Sequence, residues 1–529
     1  MVLRLNVAFR TIKNSANLTE EKRREVEQLE IQARDATNNR QYGEAVKHLS
    51  HGLALMRNQA WTPARALNAS LQVKADRVIL EPGVKVNLAL TQLFPLDQPM
   101  TTRLIGVLAI GETKNGRYQT VRELKQLVED RPDFSAGRQL DAVIPDLPDG
   151  NYQLVVNYYP ENEDSIFKPI SIQISRGLTR QIESLEARTE AIKADLRKNN
   201  RPDLLLLLPE VEYTASMLGL LNTGELSVEK TNLKAAVVNA AAMLDEIAQG
   251  RHPLDKRRGD IHLAYRSAVD DTLQPYRLFV PANYQKTKRW PLVVALHGMG
   301  SDENTLFDGY QNGEIKRMAE ARGYLVVCPK GRGPTSMYLG NAERDVIDVI
   351  GEVKREYAID EDRVYLMGHS MGGYGTWSIA VNHPGIFAAL APIAGGGSFL
   401  ITAKLGQIKH IPWIVTHGTR DATVPVEESR KMVQAGLKLG IKIKFNEIAG
   451  GDHFNVVVPA FKEIFDWFDA HKRSSEKLSS TFHRKLETGN WKPFQGESHE
   501  NRYQNAITID SAAISRLSGS GAGEAAHCL

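Results

Sequence analysis

Cysteine is nearly missing from this chain of 529 residues. The two present, Cys328 in an apolar strand-like run and Cys528 beside the C-terminus, cannot build a disulfide framework or a cysteine-rich metal site, so both are expected as free thiols. An excess of either charge sign is also lacking. With 66 Lys and Arg against 63 Asp and Glu the formal charge is +3, which gives no long-range field to steer the chain toward a polyanion, and no nucleic-acid partner is expected. Residues 1–13 lack an apolar core of signal-peptide length, and no uncharged stretch has the length of a bilayer span. These absences predict a soluble chain without a membrane span, cytoplasmic by default, or secreted or periplasmic where a leader is missing. No unit repeats at a fixed period, which argues against a solenoid.

The length is that of two to four compact units, and the apolar periodicity changes along the chain. Helical spacing over residues 19–57, with Val26, Leu29, Ala33 and Ala36 followed by Ala45, Val46, Leu49 and Leu53, predicts a helical hairpin region over 1–65, its first helix capped by Thr19. Between about residues 70 and 175 the period becomes two, as in Val84, Val86, Leu88 and Leu90, with turn signals at Pro82-Gly83 and Asp149-Gly150. That alternation predicts an antiparallel, immunoglobulin-like β-sandwich over 66–176, interrupted by a helical insert at about 121–129. Helical spacing returns at 177–255 as a linker or small bundle. Its run 204–208 ends at Pro209 and reads as buried core.

After a charged hinge at 254–260, short apolar runs alternate with amphipathic segments over 256–473, the signature of a mostly parallel sheet covered by helices. Candidate strands are 276–280, 292–296, 324–328, 364–367, 387–393, 413–416 and 441–448. Residues 474–529 are polar and rich in Gly and Ser toward the end, and are expected to form a partly disordered tail.

Chemistry is concentrated in four segments of that α/β region. Gly368-His369-Ser370-Met371-Gly372 directly follows one candidate strand and precedes a helical pattern. A serine hydroxyl becomes a nucleophile only beside a base, and a strand-to-helix turn presents its oxygen at the sheet edge. Gly368 and Gly372 let the backbone turn and the helix pack closely. The pentapeptide alone is weakly specific; its strand and helix context raises its weight.

His297-Gly298-Met299-Gly300 follows another strand, where a glycine loop can aim a backbone N–H at a developing oxyanion. The N–H groups of Met299 and Met371 are the candidate donors, with His297 orienting the loop. A plain structural turn is the competing reading.

Asp421 lies just beyond the strand at 413–416 and His453 beyond the last strand, completing the order nucleophile, acid, histidine. An aspartate in a loop is more often a turn former and a lone histidine more often structural, so position carries the assignment. Asp452, next to His453, is a rival for the acid. The triad Ser370, Asp421 and His453 requires neither metal nor organic cofactor.

These residues carry a resemblance. His297-Gly298-Met299-Gly300, Gly368-His369-Ser370-Met371-Gly372-Gly373, His417-Gly418-Thr419-Arg420-Asp421 with Val424-Pro425, and Gly451-Asp452-His453 make the segment from about 262 to 472 similar to the feruloyl esterase and polyhydroxybutyrate depolymerase-like branch of the α/β-hydrolases. The stretch Pro275-Tyr276-Arg277-Leu278-Phe279-Val280-Pro281 also resembles the first strand of such esterases and of prolyl oligopeptidase-like hydrolases.

The resemblance implies an α/β-hydrolase fold preceded by accessory domains, and an acyl-transfer mechanism, without fixing the substrate; the expected substrate is a small or polymer-linked carboxylic ester, short-chain or hydroxycinnamoyl. The short connection at 395–410, where many lipases insert a cap, predicts an open pocket. A homo-oligomer formed through the N-terminal domains is compatible with it. A prolyl oligopeptidase-like peptidase, and an inactive hydrolase fold used for binding or scaffolding, stay open as alternatives.

Overall fold

The structure, a computed structural model, describes residues 1–473 apart from positions 101 and 131. The expected polar tail and Cys528 lie outside the described residues.

Four helices come first, α1 (Val2–Ser15), α2 (Glu20–Asn38), α3 (Tyr42–Met56) and α4 (Pro63–Ser70). The Thr19 side chain accepts from the Lys22 N–H and caps α2, and Val26, Ala33, Leu49, Leu53 and Met56 close over Phe9 of α1 in a small separate core.

Eight strands follow: β1 (Leu71–Ala75), β2 (Ile79–Leu80), β3 (Lys85–Gln92), β4 (Leu104–Lys114), β5 (Arg117–Glu129), β6 (Arg138–Val143), β7 (Gly150–Tyr159) and β8 (Ile166–Ile174). They form one sheet of order β1-β3-β6 and another of order β2-β8-β7-β4-β5, and inward residues of both sheets share one core. The helical insert expected at 121–129 is not there. Those residues are the second half of β5, paired antiparallel with β4 from Leu104↔Glu129 to Lys114↔Arg117 with two register shifts. Val121, Leu124 and Val128 sit at helical spacing among good helix formers, but the long-range ladder satisfies every second backbone group and buries Leu127, and tertiary pairing outweighs local propensity.

Helices α5 (Leu178–Lys198), α6 (Pro202–Leu205), α7 (Leu208–Thr223) and α8 (Leu233–Ala248) come next. The run Pro202–Thr223 is long and apolar enough by composition to cross a membrane, yet Leu204, Leu207, Leu208 and Val211 are buried and α7 packs on the next two strands.

The last unit is built on β9 (Gly259–Arg266), β10 (Leu273–Val280), β11 (Trp290–Leu296), β12 (Leu325–Pro329), β13 (Ile359–His369), β14 (Ala389–Ile393), β15 (Trp413–Gly418) and β16 (Ile443–Ile448), in the order β16-β15-β14-β13-β11-β12-β10-β9. The apolar pattern does not mark β9, and the hinge expected at 254–260 runs into its start. It is an edge strand whose charged ends, Asp260 and Arg266, hide its alternation. Only β9 and β10 run antiparallel to their neighbours; β12, β11, β13, β14, β15 and β16 are parallel.

Alternate residues of the central strands enter two different cores, as period two requires. Leu292, Val294, Val364 and Leu366 point to a side closed by α11 (Asn341–Glu356) and α12 (Met371–Asn382), where Val346, Ile350 and Trp377 meet them. Val293, Ala295, Tyr365 and Met367 point to the side covered by α10 (Glu314–Arg322) and α15 (Val457–Asp469), through Ile315, Phe461, Phe465 and Phe468. The short α9 (Thr305–Asp308) and α13 (Phe399–Lys404) and the helix α14 (Val426–Lys438) complete the unit. The strand order and helical layers make residues 259–469 an α/β-hydrolase fold, in which loops at the carboxyl ends of the parallel strands carry the chemistry.

Candidate active site

Ser370 occupies the one-residue turn between β13 and α12 at φ 56° and ψ −116°, a backbone region that non-glycine residues avoid at a cost of about 1–3 kcal/mol. Its neighbours permit the turn. A Cβ on Gly368 would stand 2.3 Å from the Gly372 carbonyl oxygen, and one on Gly372 would stand 2.2 Å from the Leu296 carbonyl oxygen. Glycine at both places lets α12 seat directly on β11.

The structure brings Ser370, His453 and Asp421 together from three loops. Ser370 Oγ is 2.9 Å from His453 Nε2, and His453 Nδ1 is 2.7 Å from Asp421 Oδ2. The other carboxylate oxygen, Oδ1, accepts the Thr423 and Val424 N–H groups, each at 2.8 Å. Burial alone would push the Asp421 carboxyl up, but hydrogen bonds from His417, His453 and the Val424 N–H hold it well below the usual carboxylate range. An ionised Asp421 accepts from Nδ1, so Nδ1 carries the imidazole hydrogen and Nε2 turns its lone pair to the serine hydroxyl.

The rival carboxylate faces elsewhere. Asp452 Oδ1 accepts the N–H groups of Phe454 and Asn455, and Oδ2 accepts from the Asn455 amide, so it caps its own turn.

His369 is buried between the elements. Its Nε2 lies 2.7 Å from the His453 carbonyl oxygen and its Nδ1 2.8 Å from the Tyr310 hydroxyl. Burial, with His453 nearby, pushes it down to about 3, so it is uncharged at neutral pH. His297 Nε2 lies 2.7 Å from the Lys330 carbonyl oxygen and its N–H donates to the Tyr338 hydroxyl, which ties the loop after β11 to the loop after β12.

Gly300 has a φ of 78° and donates to the Pro334 carbonyl at 2.7 Å, and an ideal Cβ on Gly298 would lie 3.5 Å from Ser370 Cβ, so this loop passes against the serine. Among the described residues neither the Met299 nor the Met371 N–H has a hydrogen-bond partner.

Tyr310, Tyr338 and His417 were not singled out as site residues from sequence. Tyr310 is 59 residues from His369 in the chain, and nothing local marks it. His417 carried a signal in its place four residues before Asp421.

Between β14 and β15 the chain holds only α13 and one 3₁₀ turn, Leu405–Ile408, with Phe399 strongly exposed. Cys328 is buried in β12, where burial pushes its thiol well above the usual range.

Residues 314–404 match the prolyl oligopeptidase family. The chain is 34% identical over 149 residues to a bifunctional acetylxylan esterase/xylanase of Neocallimastix patriciarum, a match covering 27% of this chain and 21% of that protein. It is 26% identical over 247 residues to the poly(3-hydroxyoctanoate) depolymerase of Pseudomonas fluorescens, covering 41% of this chain and 87% of the relative. With a probable feruloyl esterase C of Aspergillus terreus the identity is 25% over 161 residues, covering 30% and 58%. The chain thus spans about a fifth of the length of the first of these relatives and less than two thirds of the third.

Proposed function

We propose that the α/β-hydrolase unit is a serine carboxylic ester hydrolase in which Ser370 is the nucleophile, His453 the general base and acid, and Asp421 the group that fixes the histidine. The hydroxyl proton passes from Ser370 Oγ to His453 Nε2 as Oγ bonds to the ester carbonyl carbon. The N–H groups of Met299 and Met371, free of other acceptors among the described residues, hold the resulting oxyanion. Collapse expels the alcohol, which takes the proton from His453, and water then repeats the sequence to release the acid.

His297, Gly298 and Gly300 shape the loop that carries one donor, and Gly368, His369 and Gly372 shape the turn that carries the other. The observation carrying this reading is the continuous path from Ser370 Oγ through the imidazole to Asp421 Oδ2, with contacts of 2.9 and 2.7 Å.

The substrate class we infer is a short-chain or hydroxycinnamoyl ester, free or polymer-linked. Similarity to an acetylxylan esterase, a feruloyl esterase and a polyester depolymerase supports it, as does the short connection over the site. Purified protein offered 4-nitrophenyl acetate, methyl ferulate, a long-chain triglyceride and a proline-containing peptide amide should turn over the first two fastest. Faster cleavage of the triglyceride or the amide refutes the class.

Peptide hydrolysis is the second reading, because residues 314–404 match the prolyl oligopeptidase family. It ranks lower: the described residues ahead of the unit form helices and two packed sheets, not propeller blades. An inactive scaffold ranks lowest, because it gives no use for the aligned hydroxyl, imidazole and carboxylate.

We also infer that residues 71–174 are immunoglobulin-like. The first, third and sixth strands share one sheet and the fourth, seventh and eighth the other, and Tyr152 near the start of β7 donates back to the Pro148 carbonyl at 3.1 Å, a tyrosine corner.

A further inference from the structure

Asp421 is flanked by two histidines, and the proposed mechanism uses one. His417, at the end of β15, is completely buried. Its Nε2 lies 2.9 Å from the Val424 carbonyl oxygen and 3.2 Å from Asp421 Oδ2, the same oxygen that takes His453 Nδ1. Both neighbours of Nε2 are acceptors, so this nitrogen carries the hydrogen. Nδ1 lies 2.7 Å from Ser429 Oγ, and the Gly395 carbonyl oxygen lies 2.8 Å from that same oxygen, so the two compete for one hydroxyl hydrogen. The ring therefore keeps a fixed orientation, its Nε2–H held by the Val424 carbonyl oxygen with Asp421 Oδ2 3.2 Å from the same nitrogen.

Resting on the proposed triad, we infer that His417 is a positioning residue: its N–H draws off part of the Asp421 charge and so sets the pH at which His453 becomes free to accept the serine proton. A carboxylate with fewer donors stabilises a neighbouring imidazolium more strongly. Removing the His417 donor leaves His453 protonated to higher pH, and the acid limb of activity moves up.

Other titratable groups surround this centre. The His369 ring is 4.7 Å from the His453 ring and is neutral, with the Tyr310 hydroxyl on its far nitrogen. Tyr374 and Glu428 lie within electrostatic reach of one another and Tyr374 of Asp421, while Glu447 feels His417 and is paired with Arg430. Asp452 is occupied by its own turn. None of these places a second N–H on Asp421 Oδ2.

The test compares His417→Gln, whose amide can return a donor near the Nε2 position, with His417→Asn, which reaches only toward Ser429. kcat/KM is measured against pH on a soluble 4-nitrophenyl ester. The Asn variant should move the acid limb upward by roughly half a unit to one unit, the fraction of a charged hydrogen bond transmitted through Asp421. The Gln variant should stay close to wild type. An Asn profile superimposed on wild type, or equal shifts in both variants, overturns the inference, because a purely structural role lowers activity without moving the limb.

Should either variant fail to fold, ¹⁵N NMR of the wild-type histidines decides. His417 protonated on Nε2, with a shift that follows the titration of His453, supports the inference, and an Nδ1-protonated tautomer overturns it. Failure of the triad itself has a different signature: activity that survives Ser370→Ala, whatever the His417 profiles show.

Discussion

Replacing Asp421 by asparagine changes one buried oxygen into an NH₂ group, and the surroundings dictate which one. Two backbone N–H groups, of Thr423 and Val424, point at Oδ1, each at 2.8 Å. Turning the new NH₂ toward them would set donors against donors in a buried site, at about 1–3 kcal/mol for each unsatisfied group. The amide oxygen therefore keeps the Oδ1 position, and the NH₂ faces His453 Nδ1 and His417 Nε2, the latter keeping the Val424 carbonyl oxygen as its acceptor.

That nitrogen must now accept, its hydrogen moves to Nε2, and Nε2 presents a donor to a serine hydroxyl that needs an acceptor. The expected loss is on the order of 10⁴ in kcat, equivalent to about 5 kcal/mol of barrier. The assay is steady-state turnover of a 4-nitrophenyl ester at neutral pH, with melting temperature followed in parallel to separate misfolding from mischarging. A loss of less than tenfold in a folded variant refutes the reasoning. So does a larger loss from Asp452→Asn, since that carboxylate holds only the turn at Phe454 and Asn455.

Gly372→Ala should fold poorly or melt far below wild type, because the added Cβ meets the Leu296 carbonyl oxygen at 2.2 Å and neither backbone can move without separating α12 from β11; a variant with an unchanged melting temperature contradicts the packing described. Burial pushes the Glu210 carboxyl up to about 8 and that of Glu303 up to about 7, so the folded chain holds protons that the unfolded chain, titrating near 4–5, has released. Stability is then fullest below that window and falls as pH rises toward 8. Glu210→Gln should accordingly stabilise the protein by a few kcal/mol, on the order of the shift, at pH 9 and much less at pH 5, as read by calorimetry at both values. Equal effects at the two pH values would refute it.

The parallel sheet and the segments that meet at the candidate site were legible in the sequence because both are encoded locally. Fully buried stretches such as β11 and residues 364–367 of β13 read as unbroken apolar runs, and Gly368 and Gly372 each lie two residues from Ser370 in the chain. What stayed hidden depends on distant partners. β9 gains its place by pairing with β10, and its own charged residues disguise it. The stretch 121–129 carries helix formers at helical spacing, and only β4 alongside it selects the strand. Within the site, the order of Ser370, Asp421 and His453 along the chain pointed to their meeting, but the hold of His369 on the His453 loop and of Tyr310 on His369 joins residues 84 and 59 positions apart. No periodicity reports such contacts.

In the proposed mechanism the Ser370 hydroxyl is activated as a nucleophile by the imidazole beside it. Incubating the folded protein with a fluorophosphonate and mapping the adduct by peptide mass spectrometry tests this directly. The expected result is a single phosphonylated peptide carrying Ser370, lost in His453→Ala. A folded protein that stays unmodified, or an adduct on another residue, contradicts it.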